Sequence, residues 1–151
     1  MRLPCAAVSG LLDSGAEVQR VFVYGTLKRG FPLHDIGLAG ATFLGAYRTV
    51  EPYPMLIAGP RFAPMMLDQP GRGVRVSGEL YEVPLDQLEK LDAIESVGVP
   101  GNERGRVLIE PLYGGAPIKV DAFFKGEELA RPAHSPWLKT YPLDPRFIPP
   151  K

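Results

Sequence analysis

Apolar residues in this chain gather into short runs separated by glycine and proline, and the first strong run is Val21, Phe22, Val23 and Tyr24, stopped by Gly25. A β-branched and aromatic run halted by glycine predicts a buried strand that ends in a tight turn. A second alternation covers Val74 to Val83, with Val74, Val76 and Leu80 on one face and Arg75, Ser77 and Glu79 on the other. Gly78 falls on its apolar face, where glycine predicts a bulge or room for a ligand. Residues 41–50, 64–67, 106–113 and 117–126 also read as strands, the last two joined by the turn Gly114, Gly115 and Ala116. Pro52 and Pro54 confine the apolar run after them to an edge, a bend or a strand start.

The period changes at Pro84, which opens a helix over PLDQLEKLDAIES. At about 100° per residue, Leu85, Leu88, Leu91 and Ile94 form one stripe, with Asp92 on its flank and Glu89 further round as solvated carboxylates. One helix inserted late among six or so short strands argues against a doubly wound sheet, which needs helices alternating with strands. The expected fold is α+β, with a curled or barrel-like sheet. Residues 1–20 read as an N-terminal extension and 21–151 as a single domain, with six prolines in an irregular tail from Pro132 to Pro150.

Two positions stand out against this pattern. Glu95 projects near the middle of the apolar stripe, where a carboxylate is costly unless paired, protonated or facing a cavity. The pattern equally allows the helix to end at Ile94 and Glu95 to swing into solvent. Gly25 allows close approach to the backbone, so that the amides after it can form an anion-binding concavity; an ordinary core strand with a glycine turn fits the same residues. Lys28 and Arg29 read as a solvated corner, His34 as a surface or structural histidine, and 97–105 as a loop.

Composition narrows the chemistry. Acidic and basic residues balance at 17 each, which gives no hint of nucleic acid or an anionic membrane surface, and no apolar run is long enough to span a bilayer. The single cysteine, Cys5, excludes an intramolecular disulfide and fits a reducing compartment, so a cytoplasmic location is expected. Pro4, Asp13 and Glu17 sit badly with a targeting segment at the start of the chain. One cysteine and two histidines make a dedicated metal site improbable.

VFVYGTLKRG with His34 four residues on, EPYPMLIAG, VSGELYEV and LDAIES occur in that order. Together they resemble the γ-glutamylamine cyclotransferases, within the wider γ-glutamylcyclotransferase-like (AIG2-like) family, over roughly residues 21–124. The resemblance implies a small mixed β-barrel with helices packed outside. It also implies a catalytic glutamate at Glu95 and a substrate loop of Tyr24, Gly25, Thr26 and Leu27, with no metal or cofactor. The implied reaction is intramolecular: the α-amine of an L-γ-glutamyl group attacks its own γ-carbonyl, closing 5-oxoproline and expelling an amine, as from γ-glutamyl-ε-lysine. Glu95 would serve as general base and then acid, and Tyr24 would orient it or line the pocket. The implied partner is a small-molecule γ-glutamyl amine, with a monomer favoured. One departure stands out: where the family carries tyrosine followed by arginine, this chain has Asn102, Glu103 and Arg104. That segment puts substrate preference in doubt and leaves two alternatives open, a cyclotransferase for another γ-glutamyl amide and a non-catalytic binding module of the same fold.

Overall fold

A computed structural model describes residues 17–142. Most of the expected N-terminal extension and the end of the proline-rich tail lie outside these residues. The order of elements is β1 (Val18–Val23), α1 (His34–Gly37), β2 (Thr42–Thr49), β3 (Met55–Ala58), β4 (Ala63–Met66), β5 (Ser77–Pro84), α2 (Leu85–Ile94), β6 (Asn102–Pro111) and β7 (Ile118–Lys125), followed by a 3₁₀ turn over Glu127–Leu129. Five strands close a barrel in the order β1-β5-β2-β6-β7, while β3 and β4 form a separate two-stranded ribbon. Every pairing in the barrel is antiparallel except β1 with β7, which meet in parallel at Val21 and Asp121. The sheet is therefore mixed, as expected.

The apolar run of β1 is continuous because both of its faces are covered. Phe22 joins one core cluster with Leu80, Val107, Ile109, Val120 and Phe124, to which the ribbon adds Met55, Ile57 and Met66. Val21 and Val23 join a second cluster with Tyr81, Val83, Leu88 and Leu91, where α2 packs against the outside of the barrel. Each fully buried side chain of this size contributes about 1.5–3 kcal/mol.

Several local expectations change. The regular pairing of β5 begins at Ser77, while Val74 makes only an isolated bridge to Tyr53. Gly78 marks neither a bulge nor a ligand space: a Cβ there would collide with the Val23 carbonyl and stand 2.8 Å from the Phe22 ring. The irregularity falls instead on β2, between Phe43 and Gly45. Leu85 drops out of the helix stripe at 43% exposure, and Gln87 is buried in its place, its Nε2 donating to the Ile36 and Gly37 carbonyls at 3.0 and 2.8 Å.

Strand β6 begins at Asn102, inside the segment expected to be a loop. Its first half shows no apolar alternation, and its arginines are held by an ionic network: Arg106 lies opposite Asp121, which is 4% exposed and receives Arg106 Nη1 at 2.9 Å and Arg104 Nη1 at 2.8 Å. Hydrogen-bonded arginine pairs of this kind make burial of the carboxylate tolerable.

The tail runs along β3 as an added edge, with Gly59 N–H donating to the Pro132 carbonyl, His134 N–H to Ile57 and Leu138 N–H to Met55, at 2.9, 2.8 and 2.6 Å. Tyr141 is buried, and Lys28 Nζ donates to its carbonyl at 3.1 Å. Lys28 is thus not a solvated corner. It is 7% exposed, and burial lowers its pKa against the opposing pull of Glu79. Arg29 matches the expectation better, its guanidinium lying over the exposed face of Phe43 at 3.9 Å.

The close approach at Gly78 carries a stability prediction. Gly78→Ala forces Phe22 or the β1 backbone to move and should lower the unfolding free energy by about 1–3 kcal/mol, read from urea denaturation at unchanged m-value. A neutral substitution would mean that the Phe22 ring does not rest on this glycine.

Candidate active site

The end of β1 opens into a cavity of about 450 Å³, lined by residues 22–27 on one side and by Glu95, Asn102 and Lys125 among those on another. The turn after Tyr24 is held by its carbonyl groups. Gly25 O accepts from Lys28 N–H at 3.0 Å, Thr26 O from Leu33 N–H at 3.0 Å, and Leu27 O from His34 Nδ1 at 2.9 Å. The three corresponding N–H groups have no hydrogen-bond partner among the described residues. A turn with engaged carbonyls and free amides meets the requirement for an anion-binding concavity. His34 is a structural histidine, as expected, and the element it tethers is this turn.

Glycine at position 25 has a different cause from a left-handed backbone. A Cβ there would stand 2.5 Å from Pro64 Cγ, so Gly25 lets the turn close against β4. Leu27 is seated by a second glycine, since a Cβ on Gly37 would collide with its Cδ2. Tyr24 is 6% exposed and satisfied within the fold: its hydroxyl donates to the Phe123 carbonyl at 2.6 Å and accepts from Met66 N–H at 3.3 Å. It lines the cavity and ties β1 to β4 and β7. Its hydroxyl is not bonded to Glu95, so any orienting of the carboxylate by Tyr24 is indirect. Burial first, and the Glu95 charge second, raise its pKa.

Glu95 stands at the C-cap of α2, its side chain 17% exposed and facing the cavity. Its main-chain N–H still donates to Leu91 O at 2.9 Å, so the carboxylate is carried on the last helical turn. The chain then bends sharply: Ser96 adopts φ +59°, and Ser96 and Val97 N–H donate to Ala93 and Asp92 carbonyls at 3.1 and 2.9 Å. A left-handed non-glycine residue costs about 1–2 kcal/mol, and this strain lies next to the glutamate. Asp92, expected to be solvated, is gripped by Arg104 through Nε–Oδ1 at 2.9 Å and Nη2–Oδ2 at 3.2 Å. Arg104 therefore points along α2 and does not line the cavity; Asn102 does.

Sequence reasoning missed Lys125. Its Nζ donates to Asn102 Oδ1 at 2.7 Å and to the Glu95 main-chain carbonyl at 3.0 Å, and stands 3.4 Å from Glu95 Oε1. A lysine ending an apolar strand reads as a solvated terminus, and only the pairing of Asn102 with Lys125 brings it under α2. Burial raises the pKa of Glu95, and Lys125 pulls in the opposite direction without cancelling the rise. Among the described residues, no group of three or more potential ligands could hold a metal ion, and no helix is long and apolar enough to cross a membrane.

A partly buried carboxylate beside a lysine, facing a turn of free amides across one cavity, is an arrangement able to carry acid–base chemistry on a small anionic molecule. The chain belongs to the gamma-glutamyl cyclotransferase, AIG2-like family, whose pattern matches residues 21–139. It is 39% identical over 143 residues to the gamma-glutamylaminecyclotransferase of Bos taurus, covering 91% of this chain and 82% of that protein. The Homo sapiens gamma-glutamylaminecyclotransferase is 49% identical over 80 residues, half of this chain and 52% of that protein. Among solved structures, an AIG2-like protein from Mus musculus superimposes with a TM-score of 0.73 at 32% identity, covering 85% of this chain and 92% of that one.

The raised pKa of Glu95 gives the site a pH signature. The folded protein holds this proton more tightly than the unfolded chain, whose value is near 4.5. The resulting stabilisation is fully present below that value and is lost as pH rises through the raised folded value. Glu95→Gln removes the dependence. The variant should melt above the wild type at neutral pH, and the gap should close below about pH 4. Parallel melting curves across the whole range would contradict an ionised, poorly solvated Glu95.

Proposed function

We propose that this chain is a γ-glutamylamine cyclotransferase that converts L-γ-glutamyl amines such as γ-glutamyl-ε-lysine to 5-oxoproline and a free amine. The observation that carries this reading is the juxtaposition of Glu95 with the free-amide turn of Gly25, Thr26 and Leu27 on one cavity. The amides grip the substrate's α-carboxylate, which leaves the α-ammonium and the γ-carbonyl on the side of Glu95. Glu95 takes a proton from the α-ammonium, and the freed nitrogen attacks the γ-carbonyl carbon. The C–N bond to the leaving amine then breaks as Glu95 returns the proton to it. The second proton still on the attacking nitrogen passes through Glu95 to the departing amine, which leaves as an ammonium while the lactam keeps one N–H. Because nucleophile and electrophile belong to one molecule, the cavity's main task is to hold the folded conformer. A carboxylate with a raised pKa suits one group acting first as base and then as acid.

The rim supports a carboxylate on the leaving amine. Arg61 lines the cavity, is exposed and has no ion-pair partner among the described residues. Lysine released from an isopeptide carries such a carboxylate, and the apolar walls at Leu33, Met65 and Leu129 suit its methylene chain. A reducing, cytoplasmic setting is in keeping with the lone cysteine.

Purified protein incubated with L-γ-glutamyl-ε-lysine should release 5-oxoproline and lysine in equal amounts. Glu95→Gln should lose at least about 100-fold in rate, as removal of general acid–base catalysis does, while remaining folded. γ-Glutamyl-n-butylamine, which lacks the second carboxylate, should be the poorer substrate through KM. Turnover surviving in Glu95→Gln would remove Glu95 as the catalyst, and exclusive turnover of a different amide would reassign the substrate.

A further inference from the structure

Glu95 faces two conflicting requirements. As a base it must begin ionised, yet its surroundings favour the neutral acid. A cation in tight contact would hold it ionised but would also occupy the oxygen that must receive the proton. The geometry around Lys125 lies between these limits. Its two short hydrogen bonds, at 2.7 and 3.0 Å, go to neutral acceptors, the Asn102 amide oxygen and the Glu95 main-chain carbonyl. The carboxylate is its most distant neighbour of the three, at 3.4 Å. The ammonium is thus close enough to favour the negative charge and anchored elsewhere, so the carboxylate oxygens keep room for a substrate proton.

We propose that Asn102 and Lys125 form a positioning pair for Glu95, in which Asn102 holds the lysine ammonium at a fixed stand-off and the lysine keeps the carboxylate ionised between turnovers. The catalytic role of Glu95 rests on the cyclotransferase reading above, but the pair's effect on its proton does not. The charged and titratable groups that line the cavity with Glu95 are few, and one of them, Arg61, lies exposed on the rim between β3 and β4. Lys125 comes from β7, and Tyr24 comes from the end of β1 with its hydroxyl committed to Phe123 and Met66. Strand β6 contributes the neutral Asn102, and β4 contributes apolar Pro64 and Met65. Arg104 and Asp92 neutralise each other one helical turn away.

The two members make opposite predictions. Without the lysine charge, Glu95 should bind its proton more tightly. Without the Asn102 acceptor, the ammonium is free to close on the carboxylate, and Glu95 should bind its proton more weakly. A merely structural role would not reverse sign between the two variants.

The test is a titration of Glu95 by carboxyl ¹³C NMR in folded protein labelled at glutamate, the signal being assigned by its loss in Glu95→Gln. Lys125→Met should move the midpoint up by about one pH unit, a tenfold gain in proton affinity. Asn102→Ala should move it down, and Lys125→Arg should stay near the wild type. An unmoved midpoint in Lys125→Met, or a shift of the same sign in both variants, would overturn the proposal. If Lys125→Met does not fold, Asn102→Ala decides alone: a downward shift supports the pair, and no shift or an upward one refutes it. In parallel, the acid limb of kcat/KM on γ-glutamyl-ε-lysine should follow these midpoints. A wild type with normal NMR behaviour but no turnover would refute the cyclotransferase reading while leaving the positioning pair standing.

Discussion

Closure of the barrel through β1 is the constraint on which the rest of the molecule depends. This strand lies between β5 and β7, pairing antiparallel with the first and parallel with the second. Its two faces are covered as well, one by the barrel core around Phe22 and the other by α2 over Val21 and Val23, which is why these three follow one another without a polar interruption. The strand cannot continue past Val23 without leaving the barrel, and Tyr24 fastens its end by bonding the Phe123 carbonyl and the Met66 amide. The turn that follows is delivered to the same end of the barrel as the last residue of β7. Topology thus sets the free amides of residues 25–27 across a cavity from Lys125 and Glu95. No side chain of the site has to create that juxtaposition.

Unfavourable energy is concentrated at the other wall. Glu95 is a poorly solvated carboxylate, and Ser96 beside it adopts a left-handed backbone. Both features cost stability and survive only because the surroundings over-determine them. The helix is held before the strained residue by Leu88 and Leu91 in the outer core, and after it by the pairing of β6 with β7. The opposite wall has no strained backbone, since Gly25 fits beneath Pro64 and each turn carbonyl has a donor, and its cost lies in three amides left without a partner among the described residues. One wall thus presents unpaired donors, and the other a poorly solvated carboxylate beside a strained residue.

How much of this can be read from the sequence follows the range of the signals. Local patterns were sufficient for β1, for the helix and for the chain reversal at Gly25, because each is written in neighbouring residues. Glu95 was legible for the same reason: a carboxylate within a leucine stripe is anomalous whatever packs against it. Lys125 and Asn102 were not legible, since their meaning comes from being opposite each other across β6 and β7. Lys28 and Asp92 were misread as solvated because a charged residue shows its partner only in three dimensions. Gly78 was correctly noticed but given the wrong cause, since nothing local distinguishes a glycine that admits a ligand from one that admits the Phe22 ring.

The segment from Asn102 to Arg104 is the clearest case of a long-range cause. Read as a loop, Asn102, Glu103 and Arg104 place an arginine near the substrate. As the start of a strand they are bound by its period of two, so Asn102 and Arg104 share a face with Lys125, Phe123 and Asp121 across the ladder. That face lies beneath the last turn of α2, where residues three apart are neighbours. Lys125, held by Asn102, therefore meets Glu95, while Arg104 meets Asp92 one turn earlier and ties it to Asp121. The two arrangements work at different points of the same helix. The arginine fixes where the turn lies, and the asparagine and lysine act on the charge at its end. Asn102 and Arg104 thus bear on how the end of α2 is seated and charged.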